Sequence, residues 1–182
     1  MNNVILIRFN EIHLKGGNKK YFIKLLYNNI KETLSEFDYK LENIQNRLVI
    51  RDYTDEQGII DTLRCVFGVH SISKAIELDN NEELIKKHVA SLNITKTFKC
   101  DVNRADKSFP IKSNEFAADL GELILKNNKE AKVDIHNPET IVHVDIRENG
   151  KTFIFNEIIY AYSGLPLGET RDGLLLLSGG ID

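Results

Sequence analysis

Hydrophobic positions along the chain switch between two spacings, and the switches divide it into elements. Val4 to Phe9 is a short apolar run that reads as a strand. From Asn18 to Phe37, the positions Phe22, Leu25, Leu26, Ile30 and Phe37 fall at helical spacing. Tyr39 to Ile44 and Arg47 to Arg51 read as a hairpin with Gln45-Asn46 in the turn. Asp55 to Phe67 is helical, with Ile59, Ile60 and Leu63 on one side and Gly68 as its stop. Val69 to Leu78 returns as a strand. The order βαββαβ predicts a ferredoxin-like unit over residues 1–78, with two helices on one face of its sheet.

Asp79-Asn80-Asn81 is a polar break and marks a domain boundary. Asn80 or Asn81 can cap a helix running to Leu92. Thr97 to Asn103 alternates, with Phe98, Cys100 and Val102 inward and Lys99, Asp101 and Asn103 outward. Ser113 reads as the cap of a helix through Asn127, whose stripe is Phe116, Leu120, Leu123 and Ile124. A short strand is expected at Val133 to Ile135, and a clear one at Ile141 to Arg147 with Val142, Val144 and Ile146 inward. Glu148-Asn149-Gly150 turns the chain into a returning strand from Phe153 to Tyr162. Residues 79–165 thus form a second α/β unit, and residues 166–173 a linker. The expected class is α+β.

The sequence closes on Leu174 to Leu177, a pure apolar run, followed by Ser178-Gly179-Gly180-Ile181-Asp182. Such a run predicts a strand buried on both faces. A Ser-Gly-Gly turn at its end frees backbone N–H groups to point at an anion. Residues 174–182 therefore read as the opening of a further α/β nucleotide-binding domain without its body. No catalytic residue is expected within this chain.

Apolar content of 42% and charged content of 28% suit a soluble globular protein. No stretch is long enough to span a bilayer and no signal-like segment follows Met1, so the expected compartment is the cytoplasm, with no membrane partner. The net charge of −3 means that any RNA site must be a local cluster of cations. Cys65 and Cys100 form no CxxC, and both read as buried thiols. The five histidines form no metal-binding pair, and His88 reads as a packed helix residue, so no metal is expected.

Two segments carry candidate chemistry. Between Lys99 and Ser113, the cations Lys99, Arg104, Lys107 and Lys112 lie on a strand end, a loop and a helix start. The loop delivers charge beside a helix N-terminus, itself an anion site. Phe109 either stacks on a base or anchors the loop in the core. A solvated loop with ordinary surface lysines is the competing account. The second segment is Lys15-Gly16-Gly17-Asn18-Lys19-Lys20, a glycine turn before a helix that can receive a phosphate or simply flex.

Three segments in order resemble one family. Glu11-Ile12-His13-Leu14-Lys15-Gly16-Gly17-Asn18-Lys19 resembles the E-x-x-L-K-G-x-N-[RK] element of the tRNA 4-thiouridine synthases, also called thiamine-biosynthesis tRNA sulfurtransferases. Arg104-Ala105-Asp106-Lys107-Ser108-Phe109-Pro110 resembles the R-x-D-K-x-F-P element of their THUMP domain. Gly164-Leu165-Pro166-Leu167-Gly168 with Leu174 to Asp182 resembles their linker and PP-loop, S-G-G-x-D-S, although Ser163 stands where the first Gly of G-G-L-P is usual. The resemblance implies a ferredoxin-like domain, a THUMP domain whose profile can begin nearer residue 58, and a truncated PP-loop ATPase domain. It implies tRNA contacts at Lys99, Arg104, Lys107, Phe109 and Lys112, with Lys15, Asn18 and Lys19 as a second set. It places ATP, with Mg, at Leu176, Leu177, Ser178, Gly179, Gly180 and Asp182 in the full-length protein, with nothing expected bound to this chain. The implied reaction adenylates a tRNA uridine and replaces its oxygen with persulfide sulfur, delivered by a cysteine desulfurase. Thiamine thiazole synthesis is a second outlet for that sulfur. The implied partner is the acceptor 3′ end of tRNA, and the resemblance leaves room for a homodimer. This chain alone is expected to be inactive. Two alternatives stay open: a THUMP module of an RNA methyltransferase or pseudouridine synthase, and a PP-loop ligase acting on a small molecule.

Overall fold

The structure is a computed structural model, described over residues 1–44 and 47–168. The expected Gln45-Asn46 turn and the expected strand and nucleotide loop at 174–182 lie outside the described residues. The elements are β1 (Asn2–Arg8), a 3-10 stretch (Glu11–Asn18), α1 (Lys19–Thr33), β2 (Lys40–Ile44), β3 (Arg47–Arg51), α2 (Glu56–Arg64) and β4 (Ser71–Asp79). They continue as α3 (Glu82–Ala90), β5 (Thr97–Arg104), α4 (Ser113–Asn127), β6 (Lys132–Val133), β7 (Thr140–Ile146), β8 (Lys151–Phe155) and β9 (Ile159–Tyr160). The helices start where side chains can take up orphan amides. Asp55 accepts from Gly58 N at 2.9 Å, and Asn81 from Leu84 N at 3.0 Å. The cap position of α4 is Lys112, one residue before the expected Ser113, and its side chain makes no capping bond. None of the helices among the described residues is long and apolar enough to cross a membrane.

The α+β class and the βαββαβ opening hold, but the sheet does not stop at Asp79. All described strands join one sheet in the order β2-β3-β1-β4-β8-β7-β5-β6, with β9 also on β4. β4 is long enough to serve both units: it pairs β1 along Ser71–Glu77 and β8 along Ile76–Asp79. The polar break separates two helix-side cores rather than two sheets. One core packs Ile5, Ile7, Ile50 and Ile72 against Leu26 and Ile30 of α1 and Ile59 and Leu63 of α2. The other packs Leu78, Val102, Val142 and Val144 against Ile85 and Val89 of α3 and Phe116, Leu120 and Ile124 of α4. Ile72 and Leu78 are an even number of positions apart on β4, so both cores lie on the same face.

Among the described residues the opposite face carries no helix, yet Val4, Leu6, Val49, Ala75, Phe153 and Phe155 are buried on it. The sheet covers that face by curling. Arg47 on β3 lies 2.9 Å from Asp145 on β7, although β1, β4 and β8 stand between them. At about 4.8 Å per strand a flat sheet would hold them roughly 19 Å apart. The helix-free face is therefore the concave one, and its middle is closed over by its own side chains.

The expected single strand from Phe153 to Tyr162 is broken. β8 pairs Ile154 with Ile76, and β9 pairs Ile159 with Ile72, so the returning chain holds one residue more than β4 does between these pairs. That is a one-residue bulge. Ser73 Oγ bridges it by donating to Glu157 O at 2.5 Å. Alternation of residue types cannot announce such an insertion, which explains the difference.

Candidate nucleic-acid interface

The loop between β5 and α4 is built on the end of β7. Ala105 N and Asp106 N donate to Ile146 O at 2.9 and 3.3 Å. Asp106 accepts from Ser108 N at 2.9 Å, Ser108 Oγ at 2.6 Å and Asn80 Nδ2 at 3.1 Å. The Ser108 bonds, first, and then those from Asn80 and the charge of Arg104 hold its carboxyl below the usual range. Arg104 Nη1 donates to Phe109 O at 2.8 Å and Ile111 O at 3.3 Å, and Lys107 Nζ to Arg104 O at 3.0 Å. Phe109 is 4% exposed and packs 5.2 Å, ring to ring, from Phe116.

These contacts sort the predicted residues. Phe109 is not available for base stacking; it anchors the loop in the core, because its ring is buried against Phe116 of α4. Arg104 spends one guanidinium nitrogen on two carbonyls, so it shapes the loop. Lys107 and Lys112 are exposed and carry the loop's charge toward solvent. Lys99 does not join them. It lies with Asp101 and Asn103 on the helix-free face of β5, while Arg104 follows Cys100 and Val102 on the other. Lys15, Asn18 and Lys19 lie on other elements, the 3-10 stretch and the first residue of α1. Lys15 Nζ sits 5.3 Å over the Phe22 ring, and Gly16, at φ 49°, makes the kink that turns the chain into α1. The nucleotide-site candidates Leu176, Leu177, Ser178, Gly179, Gly180 and Asp182 lie outside the described residues.

The expectation for the two thiols splits. Cys65, at the end of α2, is exposed, since its helix side turns away from the first core. Cys100 is half-buried, and burial pushes its thiol up to about 12.

A cluster that the sequence reading missed lies at one mouth of the concave face. Arg8, Arg47, Arg147, His13 and His70 line a cavity of about 400 Å³. Arg8 Nη1 donates to Ser73 Oγ at 3.0 Å, and its guanidinium sits 4.4 Å over the Phe155 ring. Arg47 and Arg147 share Asp145, which is nearly fully buried, at 2.9 and 3.5 Å. The Arg47 contact is an ion pair by distance whose angles fall short of a hydrogen bond. Burial first, then the charge of Arg47, lowers the Arg8 guanidinium to about 10. Burial, then Lys19 and Arg47, lowers the His13 imidazole below its ordinary value. One of the three sequence motifs lines this cavity, and the other two are tied to residues next to or in its lining. His13 belongs to the first, the second hangs on Ile146 beside Arg147, and Ser163 before the third lies 2.9 Å from His70 Nδ1 through its Oγ. The cluster is scattered over the chain, so no local run of charge announces it. The only signal is periodic: Arg8 continues the alternate positions Val4 and Leu6, and Arg47 precedes Val49, on one strand face.

Two family models match the chain. A model described as the ThiI ferredoxin-like domain matches residues 4–73, and a THUMP domain model matches residues 77–155. A probable tRNA sulfurtransferase from Thermoanaerobacter sp. is 39% identical over 100% of this chain and 48% of its own length. One from Caldanaerobacter subterraneus is 40% identical with the same coverage. The chain thus spans about half the length of the curated relatives it matches. Among solved structures, a protein from Pyrococcus horikoshii superposes with a TM-score of 0.79 at 30% identity, covering 91% of this chain and 57% of that one. A 4-thiouridine synthetase in complex with RNA and with bound ATP gives 0.78 at 31%, covering 92% and 44%.

Proposed function

The chain belongs to the tRNA sulfurtransferase family through its ThiI ferredoxin-like and THUMP domains, and from that premise we propose that it is the tRNA-binding portion of a uridine 4-sulfurtransferase. The observation that carries this reading is the pair of domains, in order, shared with a 4-thiouridine synthetase solved with RNA and ATP. The chemistry of the whole protein follows from the substrate. A uridine carbonyl oxygen is a poor leaving group. Attack of that oxygen on the α-phosphorus of ATP expels pyrophosphate and leaves the carbon bonded to an adenylate. The terminal sulfur of a persulfide then bonds the carbon as the oxygen departs with AMP. A second thiol of the whole protein attacks the inner sulfur, so that the S–S bond breaks, a disulfide forms and the outer sulfur stays on the uridine as the thiocarbonyl. Ser178, Gly179, Gly180 and Asp182 are this chain's candidates for the ATP phosphates, with Mg as counterion, and Leu176 and Leu177 for the adenine. The persulfide comes from a cysteine desulfurase. The chain by itself forms no 4-thiouridine, and the whole protein works in the cytoplasm.

Within the chain, Lys107 and Lys112 meet the phosphates of the tRNA acceptor end, with Lys15, Asn18 and Lys19 as a further set and Lys99 a separate contact. The test is a titration of tRNA with an intact 3′ end against tRNA with that end removed. The intact molecule binds more tightly, with a log–log salt slope of roughly −1.4 to −2.8 for two to four phosphate contacts. Lys107→Ala and Lys112→Ala each weaken binding and make the slope shallower, whereas Lys129→Ala does neither. Equal affinity for both tRNAs overturns the 3′-end reading.

A further inference from the structure

We propose that the cavity formed by Arg8, Arg47, Arg147, His13 and His70 is a phosphate site that takes one backbone phosphodiester of the bound RNA. The proposal rests on the reading of the chain as RNA-binding and adds a place of contact made by residues other than Lys107 and Lys112. Its basis is charge left over in a buried setting. Among the described residues, Arg8 has a hydroxyl and an aromatic ring as partners, and its Nη2 has no hydrogen-bond acceptor. Arg47 Nε likewise has none. A charged donor that is buried and unsatisfied costs more than the hydrogen bond it lacks, so a fold that keeps two of them side by side calls for an anion.

The chemistry selects the anion. Guanidinium groups present paired N–H donors that match two phosphate oxygens, and they do so best where water is scarce. Arg47 shares the carboxylate of Asp145 with Arg147, and Arg8 makes no ion pair among the described residues, so an added anion meets an excess of positive charge. Burial is the larger cause of the lowered titration of Arg8 and of His13, and the charge of Arg47 adds to it in both. The cavity opens at the mouth of the concave face, with His13 exposed on its rim. A phosphodiester that approaches from that side meets His13 first. Its position also fits a continuous strand of RNA, because the loop that carries Lys107 is hydrogen-bonded to Ile146, the residue before Arg147.

The experiment uses the 182-residue chain and four proteins: the wild type, Arg8→Met, Arg8→Lys and His13→Ala. Each is titrated with tRNA over a salt series. Each is also melted in inorganic pyrophosphate and in chloride at matched ionic strength. The wild type binds tRNA and melts higher in pyrophosphate. Arg8→Met weakens tRNA binding about tenfold or more. Its salt slope is shallower by about 0.7, and its pyrophosphate stabilisation is gone. Arg8→Lys recovers part of each, since a point charge replaces the fork. His13→Ala, at the rim, weakens binding a few-fold with an unchanged melt in chloride; it decides the matter if Arg8→Met does not fold. If the wild type binds tRNA while Arg8→Met and His13→Ala keep its affinity and slope, the phosphate site is overturned and the RNA reading stands. If the wild type binds no tRNA but shows an Arg8-dependent pyrophosphate effect, the cavity takes a free anion. The RNA form of the proposal then falls together with the functional reading.

Discussion

Ser163 has a φ of 64°, in the left-handed region that favours glycine. The motif that this segment resembles has glycine there, a residue that adopts such a backbone freely. Serine costs about 1 kcal/mol in that conformation. It regains something through its Oγ, 2.9 Å from His70 Nδ1. Ser163→Ala keeps the strain and loses that contact, so it should lower stability by about 1 kcal/mol. Ser163→Gly relieves the strain and should stay closer to the wild type. Thermal melts in which the glycine variant is the less stable of the two would refute the strain account. The thiols give a second residue-scale expectation. Native chain treated with iodoacetamide should be alkylated at Cys65, which is exposed, well before Cys100, whose thiol burial holds at about 12. Peptide mapping that finds Cys100 labelled first would mean that α4 does not cover it.

At the scale of elements, Asn80 ties three of them together. Its Nδ2 donates to Asp106 Oδ2 at 3.1 Å and Arg147 O at 2.7 Å, and its Oδ1 accepts from Thr152 Oγ1 at 2.8 Å. The sequence marked this residue only as part of a polar break and a helix cap. The cap is Asn81, and Asn80 is the pin that holds the loop of residues 105–111 to the β7–β8 turn. Asn80→Ala should cost on the order of 2 kcal/mol. It should also speed amide exchange at Ala105 and Asp106 while leaving α1 protected. Unchanged exchange there would show that Phe109 alone holds the loop. Strands such as β5 and β7 were legible because one face is apolar and the other polar, a period that survives without tertiary information. The bulge between β8 and β9 was not, since one inserted residue leaves the composition of a strand unchanged. The loop motif was legible as a set of residue types, but not as a division of labour in which Arg104 and Phe109 build and Lys107 and Lys112 face solvent. Arg8, next to Ile7, and Arg47, next to Leu48, meet across the paired strands β1 and β3, but the cluster stayed hidden because only the curl of the sheet brings Asp145 of β7 to Arg47.

The whole molecule shares one strand between two cores, and this bears on how it unfolds. β4 buries Ile72 in one core and Leu78 in the other, and it is hydrogen-bonded on both sides. Melting either core bares one edge of β4 and releases Asp145 from Arg47. Calorimetry of the chain should therefore give one transition, with calorimetric and van't Hoff enthalpies in agreement. Two resolved transitions would mean that the cores couple only weakly through the strand. Separating the chain after Leu78 should yield a fragment with an unpaired β4 edge and a tendency to associate, for the same reason.

The segment after β9 does not leave the fold at once. Gly68 N donates to Ser163 O at 2.9 Å, and Asn29 Nδ2 to Leu167 O at 3.0 Å, while Leu165 packs on the first core. A Cβ at Gly68 would come within about 3.0 Å of Pro166 Cγ, so the two are seated against each other. In mechanical terms this is a bolted mount and not a slack tether. Whatever is attached past Gly168 has its reach measured from Leu167, against α1, and any pull on it loads the ferredoxin-like core instead of peeling β9. A spacer placed after Gly168 lengthens the arm; the same spacer placed at Gly164 moves the pivot.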